Sequence, residues 1–248
     1  AASFEAAIRR SSRAADGFGS SITRMGKYAA AAAGTAAFGG LIATLKVGYD
    51  EFGQADKAAA QTAAVLKSTG GVANVTAKQV QGLSSAILAK SGIDDEAVQS
   101  GENMLLTFRN VRNETGKGND IFNQATTTLA DMTTAMTHGN VTSEAMSSSA
   151  IKLGKALNDP IKGISALSRV GVQFTEAQKD QIKAMVQAGD TMGAQKMILS
   201  ELNAEFGGSA EALGKTLPGQ MNILRESFRN MAGELVGTFV PALTTGMT

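Results

Sequence analysis

Few side chains in this sequence belong to types that could make or break bonds at neutral pH, and their spacing argues against most of the chemistry they suggest. The single histidine, His138, stands in Thr137-His138-Gly139, just before a helix end marked by the glycine. A protonated imidazole there would meet the negative end of the helix dipole, so it reads as an exposed capping residue. No HExxH or comparable spacing supplies partner ligands for a metal. No GxSxG turn accompanies the histidine, as a Ser-His-Asp hydrolase of that type would need. Gly214-Lys215-Thr216 has the ending of a phosphate-binding loop, but the motif requires a glycine where Ser209 stands. Gly17/Gly19 and Gly116/Gly118 lack the third glycine of a dinucleotide fingerprint and read as turns. The run Asp94-Asp95-Glu96 offers carboxylates for acid–base work, yet carboxylates also favour the positive start of a helix. The expectation is no enzyme: no catalytic, metal or cofactor-binding residues and no cofactor.

Composition narrows the field further. Cys 0 removes disulfides, thiolate metal sites and a cysteine nucleophile. Lys+Arg 23 against Asp+Glu 22 leaves a formal charge of +1. That balance argues against a protein dominated by phosphate contacts, so no sequence-specific nucleic-acid partner is expected. Aromatic residues make up 5% of the 248, tryptophan is missing, and much of the 43% apolar content is alanine. Alanine buries little area at about 25 cal/mol per Å², which favours thin, closely packed helices or reliance on partners. The sequence opens Ala1-Ala2-Ser3 without a methionine, as a segment of a longer chain or a processed product would.

The elements that must position these residues are helices. Thr76 with Gln79, and Thr175 with Gln178, have the spacing of capping boxes. Asp94 and Thr142 can cap further helices, with Ile93/Val98 and Val141/Met146 at hydrophobic-staple spacing. Behind Asp94 the expected face is Val98, Met104, Leu105, Phe108 and Val111. Gly189-Asp190 stops one helix and starts another, and Pro160, Pro218 and Pro241 mark turns or helix boundaries. No run alternates with period 2, so the fold class is all-α: short amphipathic helices and helical hairpins, elongated or bundled, assembling as a coiled oligomer. Four regions are expected. Residues 1–27 form a basic, small-residue helical segment and 28–50 an Ala/Gly-rich hydrophobic helix. Residues 51–215 are a helical-hairpin region, and 216–248 begin a further helical, hydrophobic segment.

Two apolar features are candidates for interaction. Seventeen uncharged residues, Ala29 to Leu45, lie between Lys27 and Lys46, near the lower length for a membrane span but weak in insertion energy. Gly34, Ala37, Phe38, Gly40, Leu41 and Leu45 within it suit close helix–helix packing; a conditional membrane segment over 28–47 and a flexible stretch are the alternatives. The stripe Phe122, Ala125, Leu129, Met132 and Met136 suits self-association or the chain's own core.

The order of these features resembles the tail tape measure proteins of long-tailed bacteriophages over nearly the whole chain. The opening FEAAIRRSSRAADGFGSSITRMGKYAAAAAG is similar to their basic start running into a hydrophobic helix. The most family-like stretches are QTAAVLKSTGG (Gln61–Gly71) with VTAKQVQGLSSAILAKSGIDDEAVQSGENMLLTFRNV (Val75–Val111), and LGKALNDPIKGISALSRVGVQFTEAQKDQIKAMVQAGDTMGAQKMILSEL (Leu153–Leu202). The resemblance implies a virion structural protein in the tail lumen or at the tail tip. Such a protein sets tube length during assembly and leaves through the tip ahead of the genome, in some cases into the host envelope membrane. It also implies partners: further copies of itself, commonly three, the tail tube protein, tail tip or baseplate proteins and tail assembly chaperones.

Overall fold

A computed structural model describes residues 35–169 and 171–245. Among the described residues the chain is helical with short connections and no strand, and an isolated bridge pairs Asn113 with Asp120. The long helix α1 (Thr35–Ser68) is followed by α2 (Ala77–Ser91), α3 (Asp95–Leu105), α4 (Ile121–Met136) and α5 (Ser143–Asn158). Then come α6 (Pro160–Ser168), α7 (Glu176–Gln187), α8 (Thr191–Phe206), the short α9 (Ser209–Gly214) and α10 (Leu217–Thr245).

Local signals start and stop most of these helices. Both capping boxes form: the Thr76 and Thr175 hydroxyls accept from the Gln79 and Gln178 amides, and each glutamine side chain accepts from the threonine amide. Asp94, Thr142 and Asp190 cap α3, α5 and α8 through the amides of Ala97, Ala145 and Gly193. Each such cap stabilises its helix by about 1 kcal/mol. Gly92 ends α2 in the left-handed region at φ 73°, where a Cβ would be strained. Pro160 is the first residue of α6, where its missing N–H costs nothing.

Two boundaries differ from the expectation. Helix α3 stops at Leu105, so Phe108 and Val111 reach the core from the following turns, not from the helix face. Pro218 marks the start of α10 as expected, but Pro241 lies inside that helix. Helix α4 takes its cap from afar: Asp120 makes no capping bond, and Asn113 Oδ1 accepts from the amides of Phe122 and Asn123.

One apolar core joins α2 through α9. It includes Val80, Val98, Leu105, Ile121, Leu129, Leu153, Leu157, Ile182, Ile198 and Leu202. Small residues set its spacing. Gly101 faces Leu129 and Met146, Gly154 faces the Phe108 ring, and Gly163 lies on the backbone of Lys155 and Ala156. Helix α10, in the region expected to begin a further segment, folds back against α1. Gly48 of α1 meets the backbone of Ala232, and Gly233 of α10 meets Glu51 and Phe52.

Candidate functional site

The Gly48–Gly233 crossing brings α1 and α10 close to the start of α3, and with Gln81 and Ser85 of α2 these helices wall a cleft of about 550 Å³. Its lining is acidic: Glu51 and Asp56 from α1, Asp95 and Glu96 from α3, and Glu234 from α10. Carboxylates gather at α3 because its N-terminal amides favour negative charge. The ligand oxygens of Asp94, Asp95 and Glu96 lie within 4.8 Å of one another.

Arg229 is the cation placed among them. Its Nε is 3.1 Å from Glu51 Oε2 and its Nη1 is 3.1 Å from Glu226 Oε2. Asn230 adds a tie, its Nδ2 donating to Asp95 Oδ1 at 3.0 Å. One guanidinium does not balance the group. Burial pushes Glu96 up to about 9, helped by its neighbours Asp95, Asp94 and Glu51. Burial also raises Glu51 and Glu226, against the pull of Arg229. For Arg229 burial works downward, and the carboxylates of Glu226, Glu51, Asp94 and Glu96 outweigh it, so its pKa rises. At neutral pH Glu96 therefore carries a proton. The cluster ties α1, α3 and α10 together through carboxyls, one guanidinium and the Asn230 amide.

Deeper in α3 lies a second polar group. Glu102 is fully buried, and neither of its carboxylate oxygens has a hydrogen-bond partner. Burial alone lifts its pKa well above the usual range, which favours the protonated form. One residue on, Asn103 turns to α1: the Thr62 hydroxyl donates to Asn103 Oδ1 at 2.7 Å, and Gln99 Nε2 donates to Thr62 Oγ1 at 3.0 Å. Further polar ties hold the loops. Asp131 accepts from the amides of Gly208 and Ala210. The Gln195 amide nitrogen donates to the carbonyls of Asn110 and Leu157.

The residues singled out in the sequence are dispersed. His138 is exposed in the left-handed region at φ 50°, two residues beyond α4. Gly214 packs on the Lys90 carbonyl, and Lys215 pairs with Glu211; both serve the end of α9. Phe122, Ala125, Leu129 and Met132 are fully buried, and Met136 packs against them. That stripe is the chain's own core, because α5, α8 and α9 cover the face it occupies; in this fold it is not offered to another copy. Ala37, Phe38, Gly40, Leu41 and Leu45 lie along the backbone of α1. Their side-chain surroundings, and Gly34 altogether, fall outside the described residues. Among the described residues no helix is long and apolar enough to cross a membrane; α1 carries Lys46, Asp50 and Glu51 soon after the uncharged run.

No family model, curated protein or solved structure matches the chain. Its reading therefore rests on its own residues. Sequence reasoning missed the Glu51–Glu226–Arg229 group, whose members lie up to 178 residues apart. The one local signal was the acidic start of α3. It also missed Gly48 and Gly233, the contact at which α1 and α10 meet.

Proposed function

We propose that the chain is a segment of a phage tail tape measure protein, a structural element of the tail lumen that helps set tube length and leaves through the tip at genome delivery. The observation that carries this reading is the pair of long family-like stretches, Val75–Val111 and Leu153–Leu202. They make up α2 and α3 on one side and most of α5 through α8 on the other. The all-α fold, with thin helices spaced by glycine and alanine, supports it. The near-neutral charge supports it too, since a protein that precedes DNA down a tube must not hold on to it. In this reading its partners are further copies of itself, the tail tube protein, tail tip or baseplate proteins and assembly chaperones. Its role is structural, not catalytic.

Electron microscopy of tails carrying an in-frame duplication of residues 51–215 tests the proposal. A fully extended helical insert of that length would lengthen tails by about 250 Å at 1.5 Å per residue. A folded insert adds no more than its longest dimension, and a helix the length of α1 spans about 50 Å. An increment between these limits supports a ruler element. Tails of unchanged length, together with unchanged length after in-frame deletion of the same residues, refute the ruler role.

A further inference from the structure

We propose that residues 1–27 of this chain, which lie outside the described residues, dock along the exposed apolar side of α10 and set their cations over the acidic cleft. Leu217, Met221, Leu224 and Phe228 are exposed to 78%, 52%, 65% and 44%, and no described helix covers them. Together they expose on the order of 400 Å² of apolar surface, the size of the largest patch that monomers carry. The opposite side of α10 is taken: Gly219 packs on Leu213 and Gly214, and Glu226, Ala232 and Val236 are buried. Met231, half-buried at the end of the patch, lies seven residues before Thr238, on the same side of the helix. Thr238 lines the acidic cleft. The apolar patch and the cleft therefore share an edge, and an occupant of one borders the other.

Three observations single out the chain's own start as the occupant. The first is charge. Residues 1–27 hold four Arg and one Lys against one Glu and one Asp, so with a chain total of +1 the remainder is net acidic. The cleft concentrates that acidity in Glu51, Asp56, Asp95, Glu96 and Glu234, with Arg229 as the cation tied among them. A further cation gains more there than in open water, because the site is partly buried. The second is reach. Gly48 of α1 lies on Ala232 and Val236 while Glu51 reaches Arg229, so α1 and α10 run in opposite senses. Thr35, where α1 begins, is therefore at the end of the pair where α10 finishes. From the level of Thr35 to that of Leu224 is about 35 Å at 1.5 Å per residue, and the 34 residues ahead of Thr35 span about 50 Å at the same rise. The third is pattern. Phe4 with Ile8, and Phe18 with Ile22, are apolar pairs four residues apart. Phe4 to Ile22 matches Leu217 to Leu235 residue for residue in length, about 27 Å at the helical rise. Because the segment is joined to α1, it is present at millimolar effective concentration, which favours it over any free partner.

The sequence has Cys 0, so a single introduced cysteine reports its own cover. The test is the rate of maleimide labelling of Leu224→Cys and of the control Ile161→Cys in the whole 248-residue chain, over a dilution series. Each rate is taken relative to the same variant unfolded in urea, and circular dichroism checks that helix is retained. Ile161 is an exposed apolar residue of α6, 39% accessible, outside the patch. Leu224 is the more exposed of the two among the described residues, yet Leu224→Cys should label at least tenfold more slowly at every concentration. Adding Ile8→Asp and Ile22→Asp should restore fast labelling of Leu224→Cys and leave Ile161→Cys unchanged. Equal rates in the two single-cysteine variants overturn the proposal, because the face is then open. Slow labelling that quickens on dilution overturns it in favour of a second copy as the cover. Slow labelling that persists with Ile8→Asp and Ile22→Asp overturns it too, since a different segment then lies on α10. An equal rise at both positions means general loosening and counts equally against it. The readout is independent of tail length, so its failure and that of the ruler reading are distinguishable.

Discussion

Glu102→Gln should flatten the dependence of stability on pH. In the folded chain the carboxyl of Glu102 is fully buried, no group donates to or pairs with it, and burial raises its pKa well above 4.5. Unfolded, the same carboxyl faces water and titrates near that ordinary value. Below pH 4.5 both states hold the proton and the group contributes no difference. Above it the unfolded chain releases the proton while the folded chain keeps it, so stability falls as pH rises toward the folded pKa. The slope is about 1.4 kcal/mol for each pH unit. Each pH unit between the ordinary value and the folded pKa is thus a sizeable share of the 5–15 kcal/mol typical of a domain.

Glutamine keeps the shape and the neutral form at every pH. Its buried amide has a fixed desolvation cost of about 1–3 kcal/mol, which displaces the curve without tilting it. Urea unfolding at pH 5, 6, 7 and 8 reads the difference. The wild-type stability should decline across this range more steeply than that of the variant, because Glu96, Glu51 and Glu226 remain in both and cancel. The gap between the two curves should narrow as pH rises. Parallel curves would refute the reasoning, since they would mean that Glu102 is ionised or solvated in the folded chain.

Arg229→Met should destabilise by about 3 kcal/mol at pH 8, the lower end for breaking a buried ion pair because the arginine is 31% exposed. The deficit should shrink at pH 5, where Glu51 and Glu226 take up protons; chemical denaturation at the two values checks it. Gly48→Ala should lower the melting temperature, because the new Cβ meets the Ala232 carbonyl, whereas Gly53→Ala, with nothing within 4 Å, should gain about 0.5–1 kcal/mol from helix propensity. Leu129→Ala should cost about 2–5 kcal/mol, the range for a fully buried leucine. Its loss should be the same at low and high protein concentration, as befits a core residue and not an interface residue.

What the sequence made legible is what a few neighbouring residues decide. Thr76 with Gln79, Thr175 with Gln178, Asp94, Thr142 and Asp190 cap their helices through bonds that span three residues, and all were readable. So was the all-α class. Where a distant group does the same work, the signal vanished: Asn113 caps α4, and Asp131 holds the start of α9 from 77 and 79 residues away. The apolar stripes make the same point more sharply. Phe122, Leu129 and Met136 are spaced by seven, and so are Leu217 and Leu224. Periodicity says that each stripe wants cover; it does not say whose. The fold supplies cover for the first from α5, α8 and α9, and leaves the second facing outward. Charge behaves alike. Asp94, Asp95 and Glu96 announce a helix start wherever they occur. The pKa of Glu96 rises because the fold buries it, beside Asp95, Asp94 and the Glu51 that α1 brings to the same cleft. The acidic cleft and the buried Glu102 both load α3 with carboxyls that resist ionisation while folded. Glu96 and Glu102 thus each favour the folded state more at low pH than at high, and both lie on the helix that joins α1, α2, α4 and α5.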